Sequence, residues 1–204
     1  MLKLYLVRHG ETAWNQFYRY QGHTDVPLSE TGFKQAQLVA CRLITKPLTA
    51  VYASDLSRAR QTAEIIADGH GLTVTADPAL REVNYGLWEG LTLAEINAQY
   101  PGLRDKWLAD PENMAVPGGE SLGSVRDRAV AFIEKIRRQH PDGTVVIVTH
   151  GGLIAMLLLT YLNENVNFLR KFFARNTNVS RIDFAETEVR VVYWGDASHL
   201  DDLE

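Results

Sequence analysis

Short runs of apolar and β-branched residues alternate with helical patterns along this 204-residue chain. Residues 4–7 and 144–149 have the length and composition of buried strands. Between them, residues 31–45 and 57–68 carry apolar side chains at helical spacing. Strands that alternate with helices build a largely parallel sheet covered on both faces. The sequence therefore predicts an α/β fold, specifically a three-layer α/β/α sandwich with a mostly parallel central sheet.

Further elements follow from the same patterns. We expect strands at residues 50–54 and 72–76, helices through 122–136 and 154–162, and a final hairpin formed by 179–184 and 188–194. Residues 80–119 break this rhythm because they are rich in glycine and proline. They contain one clear helix start, the capping box Thr92–Glu95, which predicts a helix over 92–100 followed by loops. We interpret residues 83–119 as a small cap insertion within a single domain, 1–204.

Composition excludes several classes of protein. A hydrophobic content of 46 % and a charged content of 23 % are ordinary for a globular domain, and a net charge of −4 argues against a nucleic-acid-binding surface. The most apolar stretch, 153–162, is too short to cross a membrane, and no signal peptide precedes the first strand. The single cysteine, Cys41, fits a cytoplasmic protein and is predicted to be a buried small hydrophobe. The oligomeric state stays open, a homodimer included.

The first predicted strand ends in Arg8-His9-Gly10. The carboxyl ends of strands are where open α/β sheets bind their ligands. A guanidinium and an imidazole at that edge, beside a glycine that lets the backbone approach closely, suit an anionic group such as phosphate. The second β-branched strand also ends in a histidine, His150, followed by two glycines.

Four segments together resemble one known family. Arg8-His9-Gly10-Glu11-Thr12 is followed, in the family's order, by the segments 54–62, 80–82 and 148–151. The chain thus resembles the histidine phosphatase superfamily, also called phosphoglycerate mutase-like. The resemblance implies an enzyme that forms a phosphohistidine on a small phosphate monoester. We expect no metal and no other cofactor, because the histidines lack zinc-type spacing with cysteine or carboxylate partners and the sequence contains no glycine-rich P-loop. It also implies that the cap shapes specificity.

The resemblance assigns roles to individual residues. His9 would be the nucleophile, which fits because a neutral imidazole attacks phosphorus well near neutral pH. Arg8 and Arg58 would clamp the phosphoryl group, and His150 would donate a hydrogen bond to it. The further phosphate-binding positions are Asn15, Gln21, Gly22 and Gly151. Arg60 and Arg81, by contrast, are expected to form surface salt bridges, and His23, His70, His140 and His199 are expected to be structural.

A proton donor is also required, because the departing alkoxide must be protonated. Glu82 is the candidate, and Glu11 is the alternative. Another branch of the superfamily places an aspartate directly after its second histidine, whereas this chain has Gly151 there. The donor must therefore come from another segment.

The substrate stays open at this point. The segment 117–122 resembles monoesterase members of the family, including α-ribazole phosphatases, and the compact cap carries only Arg104 and Lys106 as basic residues near its centre. Both features favour hydrolysis over mutase transfer, while a catalytically silent phosphate-binding module is a third reading. Eight apolar side chains could form a wall for the leaving group or hold the cap to the sheet: Phe17, Tyr18, Tyr20, Tyr85, Trp88, Leu91, Trp107 and Met114.

Overall fold

A six-stranded sheet forms the centre of the computed structural model, which describes residues 1–201. Its strands are β1 (Leu2–Arg8), β2 (Ala50–Ala53), β3 (Val74–Ala76), β4 (Gly143–Thr149), β5 (Val179–Phe184) and β6 (Val189–Asp196). Their order across the sheet is β3-β2-β4-β1-β5-β6. The pairs β3–β2, β2–β4 and β4–β1 are parallel, and β5 and β6 are added antiparallel. The predicted mostly parallel sheet is confirmed.

Helices cover both faces of this sheet. The helices are α1 (Ala13–Gln16), α2 (Glu30–Leu43), α3 (Ser57–Asp68), α4 (Leu93–Gln99), α5 (Leu103–Ala109), α6 (Leu122–Gln139) and α7 (Gly151–Leu162). Side chains alternate along β1, so that Tyr5 and Val7 join one core with α2 and α3, whereas Leu4 and Leu6 join the other with α6 and α7. The structure therefore has the three layers predicted from the sequence.

The cap segment contains one helix more than predicted. Helix α4 begins at the predicted capping box: the Thr92 hydroxyl accepts from the Glu95 amide, and the Glu95 carboxylate accepts from the Thr92 amide. The loops expected after it are wrong, because α5 forms directly behind Gly102, whose φ of 75° reverses the chain. Leu103 and Trp107, one helical turn apart, pack against the larger core and stabilise this short helix.

The prediction for Cys41 is also wrong, because its side chain is exposed. The buried face of α2 runs through Gly32, Ala36, Val39 and Leu43. At 3.6 residues per turn, Cys41 lies about 160° around the helix axis from both Val39 and Leu43. The apolar residues of α2 do form one buried face, as their spacing predicted, but the cysteine lies on the opposite side of the helix.

In the described part of the chain, no single helix is long and apolar enough to cross a membrane. The helix α7 and the 3₁₀ helix Val166–Phe172 pass that test together by length and composition, but the chain bends by 118° between them.

Candidate active site

The strand order brings the two predicted histidines together. β1 and β4 are parallel neighbours in which Arg8 pairs with Thr149, so the next residues, His9 and His150, leave the sheet side by side. Their ring centroids lie 5.1 Å apart, in an edge-to-face arrangement with an interplanar angle of 61°. Both rings are buried. The carboxyl edge of the sheet therefore carries a pair of imidazoles in contact.

Arg58 reaches the same edge from the other side of β4. β2 is the second neighbour of β4, and α3, which follows β2, carries Arg58 in its first turn. The side chain is completely buried, and its Nη1 and Nη2 donate to the carbonyl oxygens of Thr24 (2.9 Å) and Gly22 (2.8 Å). Gly22 adopts a φ of 53°, and a Cβ there would collide with the Glu89 carboxylate. The predicted residue Gly22 thus holds the arginine in place through its carbonyl.

The His9 ring is held in one tautomer. Its Nδ1 lies 2.7 Å from the Gly10 carbonyl oxygen, which can only accept, so the ring proton is on Nδ1 and Nε2 keeps its lone pair. The pKa of His9 is well below its ordinary value of 6.5, because burial disfavours the charged ring and the positive charges of Arg58 and Arg8 add to that effect. His9 is therefore a neutral imidazole with an unprotonated nitrogen.

Several buried polar atoms around His9 have no partner among residues 1–201. These are both ring nitrogens of His150, Nε of Arg8 and Nε of Arg58. Burial is the main cause that holds the pKa of His150 well below 6.5, and the Arg58 charge adds to it. Buried polar groups are almost always hydrogen-bonded. Three of these atoms are donors, the two guanidinium Nε atoms and one nitrogen of the neutral His150 ring, so they point to an acceptor-rich ligand. A phosphoryl group, with its oxygen acceptors, fits this donor set.

The Arg8 side chain is held by a hydrogen bond to the backbone. Its Nη1 donates to the carbonyl oxygen of Ala174 at 2.7 Å. Burial lowers the pKa of Arg8, and the negative charge of Glu82 opposes that shift. A Cβ at Gly151 would lie 3.5 Å from Arg8 Nε and 2.9 Å from the ring of Phe173, so Gly151 lies directly behind the arginine. Gly151 is brought to the site, and its predicted contact with phosphate stays a prediction.

The Glu82 carboxylate lies at the amino terminus of α7. Its Oε2 accepts from the Gly152 amide (3.1 Å), and its Oε1 accepts from the amides of Leu153 (3.2 Å) and Val83 (2.9 Å). A Cβ at Gly152 would lie 2.5 Å from Oε1, so the second glycine after His150 makes room for this carboxylate. His23, assigned a structural role from sequence, hydrogen-bonds the Glu82 carbonyl oxygen.

The alternative donor, Glu11, is engaged elsewhere. Its carboxylate accepts from the Gln16 amide group (2.8 Å) and the Ser29 hydroxyl (2.9 Å). Glu82 lines the cavity described below, whereas Glu11 is not among the lining residues.

Asn15 is oriented by three donors. Its Oδ1 accepts from the Thr12 amide and hydroxyl, each at 3.1 Å, and from Asn176 Nδ2 at 3.3 Å. Asn15 lines the cavity, and with Oδ1 engaged, its side-chain Nδ2 is the group that it can donate to a ligand. Asn176 Nδ2 also donates to the His9 carbonyl oxygen at 3.0 Å. Asn176 could not be predicted from the sequence, because its segment carries no recognisable motif and meets β1 only through the fold.

A cavity of about 410 Å³ opens above these residues. Gln21 is buried in its wall, and of the eight predicted apolar side chains five line it: Tyr18, Tyr20, Tyr85, Trp88 and Trp107. Phe17 is largely exposed, and Leu91 packs against the core. The 3₁₀ helix Val166–Phe172 and the adjacent Phe173 contribute a further wall, which was not predicted from the sequence. Arg60 and Arg81 do not line the cavity. Arg60 forms a salt bridge with Glu64, and Arg81 forms one with Asp55, as predicted.

Comparison with known proteins identifies the family. A model of the histidine phosphatase superfamily (branch 1) matches residues 4–197. The chain belongs to this superfamily. This histidine phosphatase superfamily member is 37 % identical to the probable phosphoglycerate mutase GpmB of Yersinia pestis, over 98 % of this chain and 96 % of the relative. The family predicted from the sequence is confirmed.

Solved structures agree with the assignment. YhfR of Bacillus stearothermophilus has a TM-score of 0.92 and 35 % identity, over 98 % of this chain and 100 % of that one. A mycobacterial glucosyl-3-phosphoglycerate phosphatase, solved with VO3, has a TM-score of 0.87 and 34 % identity, over 96 % of this chain and 99 % of that one. The site of this superfamily member contains, among the residues that the structure describes, no group of three or more His, Cys, Asp or Glu side chains placed for a metal ion.

Proposed function

We propose that this superfamily member hydrolyses small organic phosphate monoesters through a phosphohistidine on His9, without a metal ion. The observation that carries the proposal is the neutral His9 ring, which keeps a lone pair on Nε2, contacts the His150 ring, and lies close enough to Arg58 and Arg8 for their charges to lower its pKa. Arg8, Arg58 and His150 each carry an unpartnered buried nitrogen. A nucleophile beside fixed cationic donors is the arrangement that phosphoryl transfer requires, since the protein contributes chiefly positioning and electrostatic stabilisation.

In the first step, the Nε2 lone pair attacks phosphorus while the bond from phosphorus to the leaving oxygen breaks. The carboxyl proton of Glu82 passes to the departing alkoxide, and the product alcohol leaves. The guanidinium groups of Arg8 and Arg58, with His150 and the Asn15 amide, hold the equatorial oxygens. In the second step the Glu82 carboxylate takes a proton from water, whose oxygen attacks phosphorus. Inorganic phosphate leaves and His9 returns to its neutral form.

Mutase transfer is the second candidate, because GpmB, the Yersinia pestis relative, carries the name of a probable phosphoglycerate mutase. Both reactions use the same phosphohistidine and differ in whether water or a second hydroxyl group accepts the phosphoryl group. A panel of p-nitrophenyl phosphate, phosphoserine, sugar phosphates and α-ribazole 5′-phosphate, with 3-phosphoglycerate exchange measured beside it, separates them. Net phosphate release supports the hydrolase, and isomer exchange without release supports the mutase.

The covalent step has its own test. Rapidly quenched wild-type protein should carry a phosphoryl group on His9 by mass spectrometry, and His9→Ala should lose turnover while it still binds inorganic phosphate. Activity should persist in EDTA. Ligand binding by wild-type protein with no turnover on any substrate would instead indicate a binding module, and loss of activity in EDTA that magnesium restores would contradict metal independence.

A further inference from the structure

One short turn, residues 174–177, contacts three residues of the candidate active site. Its first carbonyl oxygen accepts from Arg8 Nη1, and its asparagine side chain donates to Asn15 Oδ1 and to the His9 carbonyl oxygen. The amide of its last residue, Thr177, donates to the carbonyl oxygens of Arg8 (3.0 Å) and His9 (3.3 Å). A shift of this turn would therefore disturb the nucleophile and two phosphate-binding side chains together.

The backbone of Thr177 is strained. Its φ is 55°, in the left-handed region that a residue with a β-branched side chain rarely adopts. Such a conformation persists only where the surrounding contacts fix it. Thr177 is completely buried, so the partners of its hydroxyl group are among the contacts that can hold the turn in this conformation.

His199 provides one of these contacts. It lies in the 3₁₀ helix Ser198–Leu200, and its Nε2 is 3.2 Å from Thr177 Oγ1. Its Nδ1 is 3.2 Å from Arg42 Nη1, and because a guanidinium group can only donate, Nδ1 accepts and Nε2 carries the proton. Burial and the Arg42 charge lower the pKa of His199 to about 4, so the ring is neutral near pH 7. The Thr177 hydroxyl accepts from His199 and donates to the Asn176 carbonyl oxygen at 2.9 Å.

Arg42 is itself held in place. It belongs to α2 and forms a salt bridge with Asp196 at the end of β6. A series of hydrogen bonds with one direction of donation therefore runs from Arg42 through His199 to Thr177. His199 has no part in the chemistry of the proposed reaction, and the sequence predicted only a structural role for it. The hydrogen bonds nevertheless end on the turn that holds the phosphoryl site.

We propose that His199 is a positioning residue for the phosphoryl site and that it acts through Thr177. The proposal rests on the proposed function, because it names a residue that maintains the geometry of that site. Without the donor on Nε2, Thr177 would leave its left-handed conformation, and Arg8 and Asn15 would lose contacts that orient them. Phosphate binding would weaken, since a ligand would then have to order its own donors.

His199→Leu tests the role, because it removes the donor and keeps an apolar side chain of similar bulk. Calorimetric binding of inorganic phosphate should weaken about tenfold, which corresponds to ~1.4 kcal/mol. The KM for p-nitrophenyl phosphate should rise by a similar factor, while kcat changes less than threefold. His199→Gln carries an N–H donor at a similar reach and should recover most of the phosphate affinity. An equal loss in the glutamine variant would show that ring packing carries the effect, and would overturn the proposal.

A double-mutant cycle tests the route through Thr177. Glycine adopts a φ of 55° without strain, so Thr177→Gly keeps the turn without any need for the hydroxyl contact. In the Thr177→Gly background, His199→Leu should weaken phosphate binding less than twofold. A full tenfold loss in that background would mean that His199 acts by another route, and would also overturn the proposal.

His140→Leu is the matched control. His140 also contacts a hydroxyl group, that of Tyr52 at 2.9 Å, but it lies just before the amino end of β4, whereas the site lies at the carboxyl end. It should leave phosphate binding unchanged, and urea unfolding checks that each variant is folded. Unchanged phosphate affinity in folded His199→Leu, or the same loss in His140→Leu, refutes the positioning role. If the wild type binds phosphate but hydrolyses no ester, the proposed function fails, while the phosphate affinities still test His199.

Discussion

Replacing Gly152 by alanine would test the role of Glu82 without removing its carboxylate. The added Cβ would lie 2.5 Å from Glu82 Oε1 and 2.9 Å from Val83 Cγ2, while ordinary contact begins at 3.4 Å. The carboxylate must therefore move by about 1 Å, against the three backbone amides that hold it. Misplacement by ~1 Å costs a catalytic group roughly 10²-fold, and general acid catalysis supplies about 10²–10⁴-fold in total.

The expected loss of rate in Gly152→Ala depends on the leaving group of the substrate. An alkoxide needs a proton in order to depart, whereas p-nitrophenolate does not, so phosphohistidine formation should slow about 100-fold for an alkyl phosphate and less than tenfold for p-nitrophenyl phosphate. Rapid-quench measurement of the phosphoenzyme isolates this step from its hydrolysis. Glu82→Gln should show the same dependence on leaving group.

Gly69→Ala is the matched control, because its Cβ would meet only the flexible side chain of Ile44, far from the site. It should leave phosphoenzyme formation unchanged with both substrates, and urea unfolding of each variant checks that the fold is intact. Equal slowing of both substrates by Gly152→Ala, in folded protein, would refute the assignment of Glu82 as proton donor.

Three further outcomes are expected. Arg58→Lys should lower kcat/KM about 10²-fold, because lysine cannot reproduce the planar fork that bonds two loop carbonyls, whereas Arg60→Lys should have no effect. Asn176→Ala should raise KM several-fold, with a smaller change in kcat, since it releases the amide that orients the phosphate donor; unchanged steady-state kinetics would count against this. Because burial holds the pKa of His9 and His150 well below 6.5, the unfolded chain binds more protons than the native state below that pH. The free energy of unfolding should therefore fall as pH drops from about 7 to about 5, by up to ~1.4 kcal/mol per pH unit for each ring. Urea unfolding midpoints across this pH range measure the change in stability. A His9→Asn variant whose unfolding free energy depends on pH as steeply as that of the wild type would contradict the prediction.

The order of elements could be predicted because burial leaves a local periodicity. Residues 57–68 were predicted as a helix with the bounds that the structure has. The strand β4 was recognised from its β-branched residues, and β1 from a short run of apolar and aromatic residues. The helix α5 could not be predicted, because Pro101-Gly102 indicates a break and so short a helix depends on the packing of Leu103 and Trp107 against the core. The prediction that Cys41 is buried was wrong for a related reason, since apolar spacing does not say which side of a helix a neighbouring residue faces.

The sequence by itself determined which side chains leave the carboxyl ends of strands, because strand ends are marked locally by glycine and by a change from apolar to polar residues. Arg8, His9 and His150 could therefore be named as candidates. Only the tertiary structure decided that β2, β4 and β1 are neighbours, that the Gly10 carbonyl fixes the proton of His9 on Nδ1, and that the 3₁₀ helix Val166–Phe172 lines the same cavity as the cap. These facts depend on strand order and on contacts between distant segments, which no local pattern of residues encodes.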